Sequence, residues 1–292
     1  MADKISMLPD DVACHILSFL PTQDVVATSL LSKRWMQQWL PVPSLYFDDR
    51  GFLKNKKPYD PALRRLKVDV FSYVDLPLLK TIYLDEVIFP EWKYVVKLLS
   101  RCPIVENMHV NYIGSFDDPP HSNENFKNLS KLVRADIHEV VEDIPLKAIC
   151  NVELLRIDKY TDDVPIFPNL THLELICGSG MNWNLVLKML KQCPKLQNFV
   201  LNMRTCYASM VWAFPDFVPK CLSSQLMKFS VKCCKCTEGE LHFVKYIMHN
   251  AGVLRAVTIC TWHSIRIESK FEMLRELSLC PRSSSICEFS FK

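Results

Sequence analysis

Glycine is scarce in this chain, six residues in 292, and no glycine-rich loop able to cradle a phosphate can be assembled from them. Gly178-Ser179-Gly180 is the densest group and reads as a turn after a strand ending at Leu175. No run of about 18 apolar residues occurs, which excludes a membrane-spanning helix. Charge of one sign is not concentrated either: 35 basic and 32 acidic residues are spread along the length, for a formal net charge of +3. The basic stripe that phosphate-backbone binding needs is therefore missing, and nucleic acid is not an expected partner. Residues 1–11 contain Asp3, Asp10 and Asp11 and lack a basic stretch followed by an apolar core. They do not read as a secretory signal, so a cytoplasmic or nuclear protein is expected. There is no nucleophile elbow and no family-type cysteine motif, so no catalytic residue is assigned, no cofactor is implied, and an enzyme is not expected.

What the chain does have is apolar material, 49% of its residues, enough for a substantial core. Its thirteen cysteines are odd in number and lack the spacing of a disulfide framework. In a reducing compartment they are expected to be free thiols, most of them serving as small buried side chains. Cys233, Cys234 and Cys236, with His242 and His249 downstream, could suggest zinc, but the spacing is not that of a C-x-x-C pair. Cys233 continues the inward phase of Phe229 and Val231, so a buried thiol is the expected reading and no metal site is assigned.

Residues 8–21, LPDDVACHILSFLP, read as an amphipathic helix with Asp10 as its cap, Val12, Ile16, Leu17 and Leu20 as its apolar face, and Pro21 as its stop. Thr22 and Ser32 offer caps for two further short helices. A three-helix unit of this size has too little core for all its apolar positions, and a partner is expected to cover some of them.

Leu8-Pro9-Asp10-Asp11, then Ile16-Leu17-Ser18-Phe19-Leu20-Pro21, then Ser32-Lys33-Arg34-Trp35 and Trp39 resemble the F-box motif in order and spacing over about 40 residues. The resemblance implies docking to a Skp-family adaptor and, through it, to cullin and RING subunits. By motif position, Leu8, Pro9, Ile16, Leu17, Leu20, Pro21, Val25, Val26 and Trp35 belong to the adaptor-facing or module-core set. Periodicity does not separate the two groups, because both are apolar and recur at helical spacing.

From Leu79 onward a pattern of apolar-x-x-apolar-x-apolar recurs at intervals of about 20–30 residues, the length of one leucine-rich repeat. It begins at Leu79/Ile82/Leu84, Val105/Met108/Val110, Leu132/Ala135/Ile137 and Val152/Leu155/Ile157. It continues at Leu170/Leu173/Leu175, Leu196/Phe199/Leu201, Leu226/Phe229/Val231, Leu254/Val257/Ile259 and Leu274/Leu277/Leu279. The segments Val95–Pro103 and Val186–Pro194 align as two copies of a helix ending in Cys-Pro, and a third helix-like segment runs from Val244 to Leu254. The expected fold class is α/β: a three-helix module followed by a solenoid with a curved, mostly parallel sheet and helices or loops on its convex side. Alternation puts Tyr83, His109, Asp136, Arg156, Glu174, Val200, Ser230, Thr258 and Ser278 in one outward row. The first five of these are the candidate contacts for a protein substrate.

Roughly residues 222–280 resemble the FBD segment of plant proteins that combine an F-box with leucine-rich repeats, on Glu238-Gly239-Glu240-Leu241, Val244–Met248 and Ala251-x-x-Leu254. The resemblance implies a domain plan of 1–48 for the F-box-like module, 49–221 for the repeats and 222–292 for FBD-like repeats closing the solenoid. Family members carry a longer stretch between Leu45-Tyr46-Phe47 and the first repeat; here a polar break at 55–61, NKKPYDP, takes its place. The implied function is a substrate-recognition subunit of a cullin-RING ubiquitin ligase, with its substrate unidentified. The alternatives are a repeat-based interaction scaffold without a ubiquitin-transfer role, or a degenerate paralogue.

Overall fold

Short runs of alternating apolar residues separated by turns build the chain into two compact units, Met1–Ile149 and Cys150–Lys292. The computed structural model describes residues 7–20, 22–38, 40–48, 75–89, 91–115, 126–139, 144–158, 163–177, 183–204, 215 and 217–292. Pro21, Trp39, the break at 55–61 and the turn at 178–180 lie outside the described residues.

In the first unit, helices α1 (Asp10–Leu17), α2 (Thr22–Ala27, continued by a 3-10 turn at Thr28–Leu30) and α3 (Trp35–Gln38) precede four strands. These are β1 (Ser44–Asp48), β2 (Thr81–Phe89), β3 (Asn107–Ser115) and β4 (Arg134–His138), each parallel to the next, with helix α4 (Trp92–Ser100) between β2 and β3. β1 pairs directly with β2, Ser44 opposite Thr81, across the segment where further repeats were expected in relatives.

The second unit holds β5 (Leu154–Ile157), β6 (His172–Ile176), β7 (Asn198–Asn202), β8 (Lys228–Cys234), β9 (Ala256–Thr261) and β10 (Glu288–Phe291), again parallel in chain order. Helices α5 (Trp183–Lys191), α6 (Lys220–Ser224), α7 (Glu238–Asn250) and α8 (Ile267–Ser278) lie between strands in the chain. Among the described residues no helix is long and apolar enough to cross a membrane.

Each repeat contributes one pair of inward residues, such as Ile82 and Leu84, Met108 and Val110, or Phe229 and Val231, all buried. Stacking such pairs removes about 1.5–3 kcal/mol worth of apolar surface per large side chain from water. The ladder is locked where each strand begins, because one carbonyl of the preceding repeat accepts two consecutive amides. Glu106 and Asn107 both donate to Lys80, Val133 and Arg134 to Glu106, Gln197 and Asn198 to Thr171, and Met227 and Lys228 to Gln197. A one-residue slip would break both bonds and turn the apolar pair outward. In the second unit the core is thickened by aromatic rings, with Trp183 stacked on Phe243 at 4.5 Å and Phe199 on Phe229 at 5.5 Å.

The Cys-Pro copies occupy equivalent places. Cys102 and Cys193 are buried just past α4 and α5, and each thiol donates to the carbonyl four residues back, Leu98 at 3.2 Å and Met189 at 3.0 Å. Burial pushes the Cys102 thiol up to about 12 and raises that of Cys193 as well, so both act as neutral core side chains.

Several expectations need correction. Asp10 does not cap α1: Pro9 holds that position without a side-chain bond, and the Asp10 carboxylate instead accepts from Arg34 (2.6 Å) and Gln38 (2.8 Å). Thr22 is the first residue of α2, not its cap, and its buried hydroxyl accepts from the Tyr46 amide at 2.6 Å, tying the helices to β1. Ser32 stands three residues ahead of α3.

The segment Leu274/Leu277/Leu279 is not a strand: α8 covers it through Ser278, and the last strand follows at 288–291. Its sequence, IESKFEMLRELS, lacks β-branched residues after Ile267 and is rich in helix formers, which outweighed a pattern that a helix can also satisfy. Ser278 therefore leaves the outward row. Cys233 is half-buried and Cys234 takes the inward place, because an extra residue between Val231 and Cys234 shifts the phase and Cys233 adopts φ 55°.

That shift recurs. Glu86, Tyr112, Glu139 and Cys233 all have left-handed backbone, each two residues past the second inward residue of its strand. Glycine or asparagine usually fills such positions, but in this glycine-poor chain larger side chains occupy them, at about 1–2 kcal/mol each. Replacing Glu86 by Gly is expected to stabilise the protein by about 0.5–1 kcal/mol in chemical unfolding, the relief of strain being partly offset by chain entropy. The opposite is expected of Glu240→Ala. This carboxylate is buried, accepts from the Thr237 amide (2.8 Å), the Thr237 hydroxyl (3.0 Å) and the Lys235 amide (3.1 Å), and completes the capping box of α7. Its removal strands buried donors and is expected to cost about 2–3 kcal/mol by the same measurement.

Candidate functional site

The helical module separates its apolar residues into two sets. Ala13, Leu17, Val25 and Trp35 are buried and form its interior, with Val42 and Leu45 from the β1 end. Val12, Ile16 and Leu20, spaced along one side of α1 and the turn after it, remain 41–45% exposed, and Phe19 is 75% exposed. Met7, Leu30 and Leu31 are also exposed. The fold is held from within: Arg34 donates to the Leu8 carbonyl as well as to Asp10. The Arg34 and Gln38 hydrogen bonds hold the Asp10 carboxyl below its ordinary value.

Of the residues chosen by motif position, Leu17, Val25 and Trp35 are thus core, Pro9, Ile16 and Leu20 are exposed, and Leu8 and Val26 are half-buried. Phe19, Leu30 and Leu31 were missing from that set. The available signal was an excess of apolar residues over what forty residues can bury, not their periodicity.

Apart from Ser278, which lies on α8, the residues expected in the outward row are aligned within each unit. In the first, Tyr46, Tyr83, His109 and Asp136 are mutually opposite on successive strands. The Tyr83 and His109 rings stack at 4.6 Å, and Tyr46 lies tilted against Tyr83 at 5.7 Å. Asp85 accepts from the Tyr46 hydroxyl (3.0 Å) and from Asn111 (2.7 Å), while Asp136 faces His109 Nδ1 at 3.7 Å and pairs with His138. These side chains line a cavity of about 110 Å³.

In the second unit, Arg156, Glu174, Val200, Ser230 and Thr258 are aligned. Here Glu174 is the centre: Lys232 Nζ reaches it at 3.0 Å, Asn202 at 3.2 Å and Arg156 Nε at 3.5 Å. Burial pushes the Glu174 carboxyl up, but the hydrogen bonds from Lys232 and Asn202 and the two cations outweigh it and hold the group below its ordinary value.

Near β8, the buried Cys234 thiol donates to Glu240 Oε2 at 3.7 Å. Interaction with Cys236, together with burial, raises the Cys234 pKa, and the interaction with Cys234 holds that of Cys236 below its ordinary value although burial opposes it. His249 is exposed on α7. Among the described residues no group of three or more His, Cys, Asp or Glu is arranged to hold a metal ion.

A carboxyl whose pKa is depressed by folding stabilises the folded state above its unfolded value and loses that contribution as pH falls. For Glu174 the contribution is complete above the ordinary value of 4.5 and disappears as acid takes the pH below it. With its side chain still partly open to solvent, which screens the pairing, its size is about 0.5–1 kcal/mol. Glu174→Gln is expected to lower stability by that amount at pH 7 and to flatten the acid limb of a stability–pH profile measured by urea unfolding.

Comparison with known proteins places three family segments on this geometry. The F-box domain matches residues 5–45, which contain the helical module and the start of β1. A Leucine Rich Repeat matches 78–103, which spans β2 and α4, and FBD matches 215–259, from before α6 into β9. Two F-box/FBD/LRR-repeat proteins of Arabidopsis thaliana are 26% and 25% identical, with 99% of this chain aligned to 100% and 99% of theirs. A putative FBD-associated F-box protein of the same plant is 26% identical, with 99% of each chain aligned. The first two alignments extend over 418 and 419 positions against the 292 residues of this chain, so those relatives carry residues that it lacks. The chain thus matches F-box, leucine-rich-repeat and FBD models in that order and is similar over nearly its whole length to the plant F-box/FBD/LRR-repeat proteins.

Proposed function

We propose that this chain is the substrate-recognition subunit of a cullin-RING ubiquitin ligase, working in the cytoplasm or nucleus without catalysing a reaction itself. The observation that carries this reading is the surface of α1 and the turn after it, where Val12, Ile16, Phe19 and Leu20 stay exposed although Leu17 beside them is buried. Exposed large apolar side chains set on one helical side are suited to a partner, and each one covered contributes about 1.5–3 kcal/mol. The F-box match over the same residues supports a Skp-family adaptor as that partner.

Under this reading the adaptor links the chain to cullin and RING subunits, and the outward sheet faces carry the substrate. Tyr83, His109 and Asp136 offer one group of contacts there, and Arg156 and Glu174 another. The contribution of the chain is proximity. Holding a protein beside a recruited ubiquitin-conjugating enzyme raises the local concentration of its lysines without any group of this chain entering the chemistry.

Co-expression with a Skp-family adaptor tests the reading. The unmutated chain is expected to co-purify with it, and Ile16→Ala with Leu20→Ala to weaken the complex about 100-fold, the loss expected for two truncated apolar contacts. Because both side chains are exposed, the unfolding midpoint should hardly move. Failure of the unmutated, folded chain to retain the adaptor would overturn the proposal.

A further inference from the structure

The sheet of the second unit ends on β10, which pairs with β9 on one side; among the described residues no strand covers the other. We infer that this edge is a self-pairing surface, and that two copies of the chain join through antiparallel β10 strands about a two-fold axis at Ser290.

The argument starts from backbone direction. In a parallel pair a residue turns its N–H and its C=O toward the same neighbour, and the next residue turns both away. The Glu288 amide donates to Arg255, the Lys292 amide donates to Ile259, and the Lys292 carbonyl accepts from the Thr261 amide, each at 2.8 Å. Glu288, Ser290 and Lys292 therefore face β9, while the N–H and C=O groups of Phe289 and Phe291 face the open edge. An antiparallel partner needs such groups on directly opposed residues. With Ser290 opposite Ser290 of a second copy, Phe289 falls opposite Phe291 at both ends of the pairing, and all four groups of each copy are satisfied.

The side chains fit the same register. Glu288-Phe289-Ser290-Phe291-Lys292 reads as an aromatic pair around a central serine, with opposite charges at its ends. In the two-fold arrangement each Glu288 meets a Lys292, and each Phe289 a Phe291, on matching faces of the sheet. Parallel pairing would instead set like charges opposite each other. Phe289 and Phe291 lie beside Val257 and Ile259, which are fully buried, yet both rings are only half-buried: Arg282 lies over the Phe289 ring at 5.6 Å, and among the described residues no strand stacks beyond the pair. The same last repeat leaves Ile267, Phe271, Leu279 and Ile286 exposed. An open, aromatic sheet edge whose charges balance is the kind that pairs with another chain unless guarded. No residue of the helical module enters the argument, and the inference does not rest on adaptor binding.

Sedimentation velocity of the full chain across a concentration series tests it. A monomer–dimer equilibrium is expected. Glu288→Lys alone or Lys292→Glu alone, which set like charges opposite each other at two symmetric positions, should each weaken it about ten-fold. The double variant, Glu288→Lys with Lys292→Glu, restores the complementarity and should recover dimerisation to within about three-fold. Both side chains are exposed, so circular dichroism should show all variants folded. A chain that is monomeric at every concentration overturns the inference. So does a dimer that single reversals leave intact, or one that the double variant fails to rescue.

Discussion

The described strands depend on one constraint, the register of each strand on the one before it. A carbonyl such as that of Lys80, Glu106 or Gln197 receives two successive amides of the next strand, and this decides which residues point inward. Once the register is set, the apolar pair of each repeat stacks on its neighbour's, and the residue between them joins the outward row. The Tyr83–His109 stack and the contact of Arg156 with Glu174 both follow from that alignment, since in-register neighbours in a sheet are about 4.8 Å apart.

The helical module obeys a different economy. It is too small to bury all that it carries, and the structure spends its limited interior on Ala13, Leu17, Val25 and Trp35. Arg34, bonded to both Leu8 and Asp10, and Thr22, bonded to Tyr46, keep the short helices together where core area is lacking. The polar contacts free the apolar side of α1 from a structural duty. The same feature that makes the module marginal alone makes it suitable for a partner.

Much of this was legible beforehand. The strands at Leu79 to Ile259 were readable because an inward pair at fixed spacing repeated many times, and repetition separates a pattern from chance. The aligned helices ending at Cys102 and Cys193 were readable for the same reason. Legibility failed where a residue could satisfy two patterns: Leu274, Leu277 and Leu279 fit the strand spacing, but the polar, helix-favouring residues between them belong to α8. It failed also at Cys233, because a left-handed residue that is not glycine gives no local sign of the extra residue in the strand.

The amino-acid order alone determined the repeat length, the inward pairs, the outward row from Tyr83 to Thr258 and the F-box-like order of the first forty residues. These depend on spacing, which is a local property of the chain. Only the tertiary structure decided that Leu17 is core while Ile16 faces solvent, that Asp10 answers Arg34 and not the helix amides, and that Glu174 gathers Arg156, Asn202 and Lys232. Burial and ion pairing are set by which surfaces meet across long chain separations, and adjacent residues of like character give no warning of which one will be covered.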